Sequence, residues 1–389
     1  MRIDQIGEKC TGCGACCAIC PTKAITMEID EEGFEYPVVE EEKCIHCGKC
    51  YEKCHVIKKE AVSFVQQAYY GKCKKEEILK LSSSGGMYYT IVKPLQDQGY
   101  LIYGAVLEKK DWKVIHQSNQ KSDLKEQLGS KYVQSSTWEA FQEIQELLKQ
   151  NKKIVFSGTP CQVSGLKTMV GQHANLITID LICHGVPSPK VLQDKVKWLE
   201  EKNHSKLVNL KFRSKIGKWS QHKLYSEYEN KKIVVTSSDN DEYFNLFLKN
   251  YDLRKCCYEC EYSNEQHRAD ITIADYWGIL KNAPEENDET GTSLLLINTE
   301  RGKEMLEKVK DDLAIKPLEW EKACYVYKTH DNYEKQNREQ FYKTYKSLGY
   351  QEAVQKIKPP KTIYSFLKSK QNWMIYKRIS KKLTRENKK

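Results

Sequence analysis

No segment of the sequence is apolar for long enough to span a membrane as a helix, which needs about 18 consecutive apolar residues. The opening MRIDQIGEKC contains no apolar h-region, so no secretory signal peptide is visible. Basic residues are in marked excess only at one end: residues 359–389 carry a net charge of +9 out of the chain's +10. These absences predict a cytoplasmic protein. They also argue against nucleic-acid binding, because no recognition motif accompanies the positive charge.

The basic tail at 359–389 has a few apolar residues at helical spacing. Trp373, Tyr376 and Leu383 recur among its lysines and arginines. Such a segment could lie on the anionic inner face of a membrane or dock on a partner enzyme. A solvated tail whose few apolar residues pack against the body is an equally good interpretation.

Cysteine, in contrast, is abundant, with 16 residues. Two runs have the spacing C-x2-C-x2-C-x3-C, which is the pattern of bacterial two-cluster ferredoxins. Three thiolates of a run bind one [4Fe-4S] cubane and the fourth reaches the other cubane. The expected ligands are Cys10, Cys13, Cys16 and Cys54 for cluster one, and Cys44, Cys47, Cys50 and Cys20 for cluster two. A zinc ribbon is disfavoured, because it needs two C-x2-C pairs rather than two runs of four.

Cysteines bound to such clusters must stay reduced, which again fits a reducing cytoplasm. Cys17 is left over beside Cys16 and is expected to be a small buried hydrophobic residue. Cys73 and Cys324 match no ligand spacing and are predicted to be structural.

Behind the cysteine runs, strand and helix patterns alternate. Ile154–Phe156 and Leu176–Ile182 are short apolar strands, each followed by a turn and a helical pattern, which indicates parallel pairing. The sequence therefore predicts an α/β protein (α+β overall), with a bacterial-type ferredoxin domain followed by a mixed α/β domain. From about residue 313 onward the pattern is helical.

A Ser/Gly turn lies before the helical pattern that begins at Met87. It contains Ser83, Ser84, Gly85 and Gly86. Free N–H groups at such a helix start favour an anion. The motif alone is weak, and an ordinary helix-capping loop is the better explanation of it.

Six motifs occur in an order that resembles the family of beta subunits of coenzyme F-420 hydrogenases and dehydrogenases. They are SSSGG at 82–86, GSKYVQS at 129–135, FSGTPCQVSGLK at 156–167, DLICHGVPSP at 180–189, LRKCCYEC at 253–260 and ADITIADYWG at 269–278. The resemblance covers roughly residues 65–310. It implies an FAD protein with an iron–sulfur cluster close to the flavin, which passes electrons between that cluster and a hydride acceptor.

The resemblance also implies a division of the chain and a set of flavin contacts. The regions are a ferredoxin domain at 1–60, the N-terminal flavin-binding region of the beta subunits at 61–150, their C-terminal region at 151–312, a helical extension at 313–358 and the basic tail at 359–389. The expected cofactor-binding residues are Ser83, Ser84, Gly85, Gly86, Ser130, Lys131, Tyr132, Gly158 and Thr159. For Gly158 and Thr159, plain turn chemistry is the alternative.

A third cubane beside the flavin is predicted from four further cysteines. Cys257 and Cys260 have C-x2-C spacing, and Cys161 and Cys183 follow adjacent strands. Cys256 could replace Cys257. The alternative is two inert buried cysteines and a zinc-like pair.

No catalytic acid is identified, but two candidates are. His184 could protonate the substrate or the flavin, or donate a hydrogen bond to cluster sulfur. Lys131 could neutralise the pyrophosphate or a reduced flavin anion. Asp275, after a predicted strand, is expected to orient the site.

Two functions remain open from the sequence. The first is an iron–sulfur flavoenzyme that takes electrons from a ferredoxin-like, low-potential donor and reduces a small organic substrate, or runs in reverse. The second is an electron-transfer subunit that has no substrate of its own and feeds a partner enzyme. A substrate pocket over the flavin distinguishes the two.

Overall fold

The computed structural model describes residues 2–58, 63–264, 266–323 and 332–357. Cys324 and the basic tail at 359–389, which both carry sequence predictions, lie outside the described residues. In the part of the chain that is described, no helix is both long enough and apolar enough to cross a bilayer.

The N-terminal module consists of two cysteine loops, each followed by a short helix, on either side of a hairpin. Its elements are α1 (Ala15–Ile19), β1 (Ile25–Ile29), β2 (Glu35–Val39) and α2 (Lys49–Glu52). Each helix begins after a glycine in the left-handed region, Gly14 or Gly48, both at φ 73°. A side chain at either position would be strained. The loop-and-helix arrangement therefore occurs twice, in agreement with the two cysteine runs of equal spacing. Cys17 is buried here, as expected.

The body that follows is a larger α/β structure. Its strands are β3 (Ser63–Phe64), β4 (Gln67–Cys73), β5 (Leu101–Glu108), β6 (Lys113–Ser118), β7 (Ser135–Ser136), β8 (Ile154–Ser157), β9 (Leu176–Leu181), β10 (Leu207–Ser214), β11 (Lys223–Tyr228), β12 (Ile233–Ser237), β13 (Gln266–His267), β14 (Ile271–Asp275), β15 (Ser293–Ile297) and β16 (Leu313–Pro317). Its helices are α3 (Glu76–Leu81), α4 (Met87–Asp97), α5 (Trp138–Lys149), α6 (Pro160–Val170), α7 (Pro189–Asn203), α8 (Glu242–Leu248), α9 (Ile279–Asn282), α10 (Glu300–Val309), α11 (Trp320–Ala323), α12 (Asn332–Leu348) and α13 (Tyr350–Ile357).

Among the described residues, nine of these strands form the main sheet, in the order β16-β4-β15-β14-β9-β8-β5-β6-β7. The neighbours β5, β8, β9 and β14 run parallel. Their nearly continuous apolar sequences are buried because helices cover both faces of the sheet. Val155 packs towards the core that includes α4 and α10, whereas Ile154 and Phe156 pack towards the core of α5 and α6. The predicted α/β class is confirmed.

The ferredoxin module shares the cores of the body. Ala15 and Ala18 of α1 belong to the same apolar cluster as α5 and α6. Phe34, in the hairpin turn, is fully buried in a second cluster with α7 and α12. In addition, Glu32 forms an ion pair with Arg338 of α12. The module is therefore fixed against the body at two places.

A second sheet in the described residues contains β10, β11 and β12 as an antiparallel meander. β11 alternates buried and partly buried residues, as is usual for a sheet that packs one face on a core. The meander packs beside α7 and α8 in the core that also holds Phe34. It positions the loop after β10 against the main sheet.

One expectation was wrong. Residues 313–317 form β16, an edge strand of the main sheet paired with β4, rather than the start of a helical extension. The segment is short, with Leu313 buried and Ala314 exposed, and its last residue, Pro317, is tolerated on a sheet edge. The main sheet also draws strands from all three of the regions 61–150, 151–312 and 313–358.

Replacing Gly165 with alanine tests how closely the ferredoxin module is docked. A Cβ on Gly165 of α6 would stand 2.7 Å from Cys13 Sγ and 3.0 Å from Cys13 Cβ. We expect Gly165→Ala to lower the free energy of unfolding by about 1–3 kcal/mol, because the added Cβ over-packs the contact with Cys13. This loss is expected even though alanine has a higher helix propensity than glycine. Anaerobic thermal unfolding measures this, with iron content followed in parallel.

Thr168→Ala is the matched control on the same helix. Thr168 is buried, but the substitution removes atoms rather than adding them towards Cys13. A Gly165→Ala variant that is as stable as the native chain and retains its iron would contradict this account of the docking.

Candidate functional site

The predicted site residues gather at one edge of the main sheet. β8 ends at Ser157, β9 at Leu181 and β14 at Asp275, and since these strands are parallel their carboxyl ends share an edge. Gly158 follows β8 directly, Cys183 lies two residues after the end of β9, and the DYWG motif begins at the last residue of β14. Open α/β sheets bind ligands at this edge.

The Ser/Gly loop at 82–86 is held at the same edge by hydrogen bonds. Ser83 Oγ accepts from the N–H of Ser130 at 2.6 Å, which joins two segments predicted to touch the cofactor. Ser84 Oγ donates to the carbonyl of Thr292, and the N–H of Gly85 donates to Ser293 Oγ. Gly86, at φ 76°, is the residue before α4. Hydrogen bonds within the protein therefore fix the conformation of this loop without a ligand.

Two lysines with lowered pKa values lie beside this loop. Lys215 donates to the carbonyls of Ser84 and Leu79, each at 2.6 Å, and desolvation lowers its pKa to about 8. Lys131 donates to the carbonyls of Glu126 and Leu128, and desolvation lowers its pKa to about 7. Both ammonium groups meet neutral carbonyls here, so an added anion would stabilise their charge. The sequence predicted Lys131 but gave no indication of Lys215.

An aromatic wall lies between this loop and the third set of cysteines. Tyr132 packs on Phe247 with ring centroids 4.8 Å apart, and His184 packs edge-on to the same Phe247 at 4.8 Å. Arg213 forms an ion pair with Asp275 and lies 3.5 Å from the Tyr132 hydroxyl, to which it donates. Asp275 therefore holds Arg213 beside Tyr132. The sequence prediction missed Arg213 because β10 carries no recognisable motif.

Gly158 and Thr159 show the turn chemistry that was their alternative interpretation. Thr159 precedes α6 and forms a capping box with Gln162, whose Oε1 accepts from the Thr159 N–H at 2.9 Å. Thr159 Oγ1 also lies 3.2 Å from Cys161 Sγ. These two residues thus position Cys161, in the first turn of α6.

Five cysteines line one cavity of about 840 Å³: Cys161, Cys183, Cys256, Cys257 and Cys260. Burial raises the pKa values of Cys161 and Cys183, and the nearby thiols of Cys256 and Cys260 raise them further. Cys257 instead packs in an apolar cluster with Phe247, Leu253 and Tyr258. Cys256 therefore faces the other three thiols more directly than the predicted Cys257.

Each predicted ligand set of the ferredoxin module contains thiols that lie close together, and the thiols of Cys54 and Cys50 also interact across the two sets. The thiol of Cys54 interacts electrostatically with those of Cys13 and Cys16. In the other set, Cys50 interacts with Cys20 and Cys47. Burial raises the pKa of Cys13 to about 12, whereas Cys47 is exposed. The set expected for cluster one thus lies inside the protein and part of the other set lies at its surface.

His55 links the loop of cluster one to the third set of cysteines. Its ring lies 3.0 Å from Thr11 Oγ1 and 2.5 Å from the hydroxyl of Tyr262, two residues after Cys260. Burial lowers the pKa of His55 to about 3, so the ring is neutral. Within the described residues, no three His, Cys, Asp or Glu side chains converge closely enough to hold a single metal ion.

Comparisons with known proteins agree with the motifs. The family model for the C terminus of coenzyme F-420 hydrogenase/dehydrogenase beta subunits matches residues 151–321, and a 4Fe-4S dicluster domain model matches residues 9–57. An uncharacterized protein of Methanocaldococcus jannaschii is 25% identical over 270 residues, which are 61% of this chain and 72% of that protein.

Some relatives carry functional names. One is a subunit of the F(420)H(2) dehydrogenase of Methanosarcina mazei, which is 22% identical over 339 residues, covering 79% of this chain and 84% of the relative. The coenzyme F-420-dependent sulfite reductase of M. jannaschii is 27% identical over 169 residues, covering 41% of this chain but 25% of the reductase. Residues 151–321 of the chain therefore match the C-terminal domain of coenzyme F-420 hydrogenase/dehydrogenase beta subunits, and a 4Fe-4S dicluster domain precedes them at the N terminus.

Proposed function

We propose that this chain is an iron–sulfur flavoprotein oxidoreductase. Electrons from a low-potential, ferredoxin-like donor cross [4Fe-4S] clusters to FAD, and the flavin passes them to a small organic substrate, or the flow is reversed. The observation that carries the proposal is the meeting, at one sheet edge, of a cavity lined by five thiols, the Ser/Gly loop and two desolvated lysines.

Electrons enter at cluster two, with Cys44, Cys47, Cys50 and Cys20 as ligands. Cys47 is exposed, and the neighbouring Ile45 is 62% exposed, which leaves this end open to a donor. Cluster one, held by Cys10, Cys13, Cys16 and Cys54, lies between cluster two and the body. The greater exposure of the cluster-two ligands thus favours electron transfer from the protein surface towards cluster one.

The third cluster is proposed to use Cys161, Cys183, Cys256 and Cys260. All four thiols line the same cavity, and Cys256 interacts electrostatically with the other three. Cys257, the ligand expected from C-x2-C spacing, is the alternative. Four thiolates are the usual complement of a [4Fe-4S] cubane.

FAD would lie over the Ser/Gly loop at 82–86. Lys215 and Lys131 have ammonium groups that a pyrophosphate would neutralise, and Tyr132 with His184 supplies the wall next to the isoalloxazine. When bound, the flavin converts single electrons into a pair or a hydride. Lys131 and His184 are the candidates for holding or moving a proton there.

A second function is an electron-transfer subunit that feeds a partner enzyme. The relative from M. mazei is named as a subunit of a dehydrogenase, which favours this alternative. The two functions differ in whether the purified chain alone reduces a substrate. Coenzyme F-420, named in the relatives, is the first substrate to offer with dithionite as the electron source.

Counting cofactors tests the proposal directly. Anaerobically purified protein should contain about twelve irons, equal acid-labile sulfide and one FAD per chain, given four irons per cubane. About eight irons without flavin would contradict the flavoenzyme proposal. That result would leave a ferredoxin joined to a docking domain.

A pair of serine variants tests the third cluster. Cys256→Ser should lose about four irons, as should Cys161→Ser, because a cubane needs its thiolates. Cys257→Ser is the matched control and should keep the native iron content, since its side chain packs in the apolar cluster of Phe247. Iron loss in Cys257→Ser but not in Cys256→Ser would restore the original assignment.

The pH dependence of flavin binding tests the role of Lys215. An anion binds best while the ammonium is protonated, so the affinity of flavin-depleted protein for FAD should fall as pH rises through about 8. The fall should approach tenfold per pH unit, since one pKa unit is worth about 1.36 kcal/mol. Quenching of FAD fluorescence measures the dissociation constant.

Lys215→Met should bind FAD more weakly at pH 7 and show a flatter pH profile. Lys80→Met, on α3 and exposed, is the control for a lost positive charge. Equal affinity and equal pH profiles for the native chain and Lys215→Met would remove Lys215 from the flavin site.

A further inference from the structure

Arg254 lies between the loop of cluster one and the third set of cysteines, and its side chain is fully buried. Its guanidinium donates to three neutral acceptors: the carbonyl of Cys10 at 2.8 Å, the carbonyl of Glu35 at 2.9 Å and Oε1 of Gln134 at 3.1 Å. It also lies 4.1 Å from the ring centre of Tyr36. The group is therefore held rigidly in one place.

The charge of Arg254 has no conventional partner. Among the described residues, no carboxylate forms an ion pair with it, whereas buried Arg213 and Arg338 are paired with Asp275 and Glu32. The Glu35 carboxyl is nearby but accepts from Ser136, and burial raises its pKa. An uncompensated buried cation is costly, so an anion is expected beside it.

The groups that face Arg254 include thiols from both cysteine sets: Cys10 from the loop of cluster one, and Cys256 with the neighbouring Cys257 from the third set. The Arg254 guanidinium reaches the Cys10 thiol on one side and the Cys256 thiol on the other. Arg254 and Cys256 also line the same cavity. Its charge therefore stabilises anionic sulfur on both sides.

Gly12 shows that the cysteine loop is shaped around this guanidinium. It lies between Cys10 and Cys13 at φ 69°, and a Cβ there would stand 2.8 Å from Arg254 Nη1 and 2.6 Å from Gln134 Nε2. The close approach of the Arg254 side chain to the cysteine loop therefore requires a glycine at this position, whatever the charges of the two groups. The chelating loop and the arginine fit as one unit.

We propose that Arg254 is a positioning residue that acts as the shared fixed counter-charge of cluster one and the third cluster and sets the reduction potentials of both. The inference rests on the proposed function, because it takes the cysteine sets as cubane ligands. A cubane with four thiolates is an anion and gains one more negative charge on reduction. A fixed cation at its edge favours the reduced form, so it raises the potential.

Cluster two provides a reference inside the same molecule. None of the hydrogen bonds of Arg254 reaches its ligands Cys44, Cys47, Cys50 and Cys20. Removing the Arg254 charge should therefore lower two of the three potentials and leave the third in place. A general loosening of the fold would have no such selectivity.

The test is an anaerobic redox titration followed by electron paramagnetic resonance. In Arg254→Met, the equilibrium constant for reduction of cluster one and of the third cluster should fall at least tenfold, which is 59 mV for a one-electron couple. Cluster two should not change. Lys255→Met is the matched control, because Lys255 is the next residue, is partly exposed and is paired with Glu8.

Gln134→Glu covers the case in which Arg254→Met fails to fold or bind iron. This variant keeps the guanidinium. It places a carboxylate oxygen where Gln134 Oε1 accepts the hydrogen bond of Arg254, so the Arg254 charge is neutralised with little change in side-chain shape. It should lower the same two potentials. Unchanged potentials in Gln134→Glu, with the native iron content, would overturn the proposal.

The inference and the proposed function fail in different ways. If the native protein contains about eight irons, it has no third cluster, and the proposed function is contradicted. The role of Arg254 is then tested by the potential of cluster one alone. If the native protein contains about twelve irons and both variants keep the native potentials, the clusters are supported and the role of Arg254 is overturned.

Discussion

Electrons pass between redox centres only over short distances, so the ferredoxin module must be packed tightly against the sheet edge that holds the remaining thiols. The structure meets this constraint by making the module part of the body. α1 belongs to the same core as α5 and α6, and Gly165 lets α6 approach Cys13. Arg254 and His55 then tie the first cysteine loop to the segment around Cys260.

The same sheet explains the other half of the site. Parallel strands bring Ser157, Leu181 and Asp275 to one edge, and the antiparallel β15 brings Ser293 there to hold the Ser/Gly loop. Two lysines donate hydrogen bonds to backbone carbonyls at this edge. The fold therefore places a thiol-lined cavity and the Ser/Gly loop on either side of Tyr132 and Phe247.

Much of this arrangement could be predicted because the chemistry imposes strict local patterns. The ferredoxin thiols follow from spacing, and the strands β8 and β9 follow from short apolar runs bounded by turns. The edge strand β16 could not be predicted, since five residues before a helical region carry little periodicity. Lys215 and Arg213 were missed because only the tertiary fold brings the end of β10 to the site. The choice between Cys256 and Cys257 depends on side-chain direction, which spacing does not determine.

The account predicts that electrons supplied to the ferredoxin clusters reach a flavin through the third cluster. Reducing the clusters with limiting anaerobic reductant, while following flavin absorbance, measures this most directly. The flavin should be reduced in the native chain and should stay oxidised in Cys161→Ser, although the ferredoxin clusters are reduced in both. A flavin that stays oxidised in the native chain, or that is reduced equally fast in Cys161→Ser, would contradict the account.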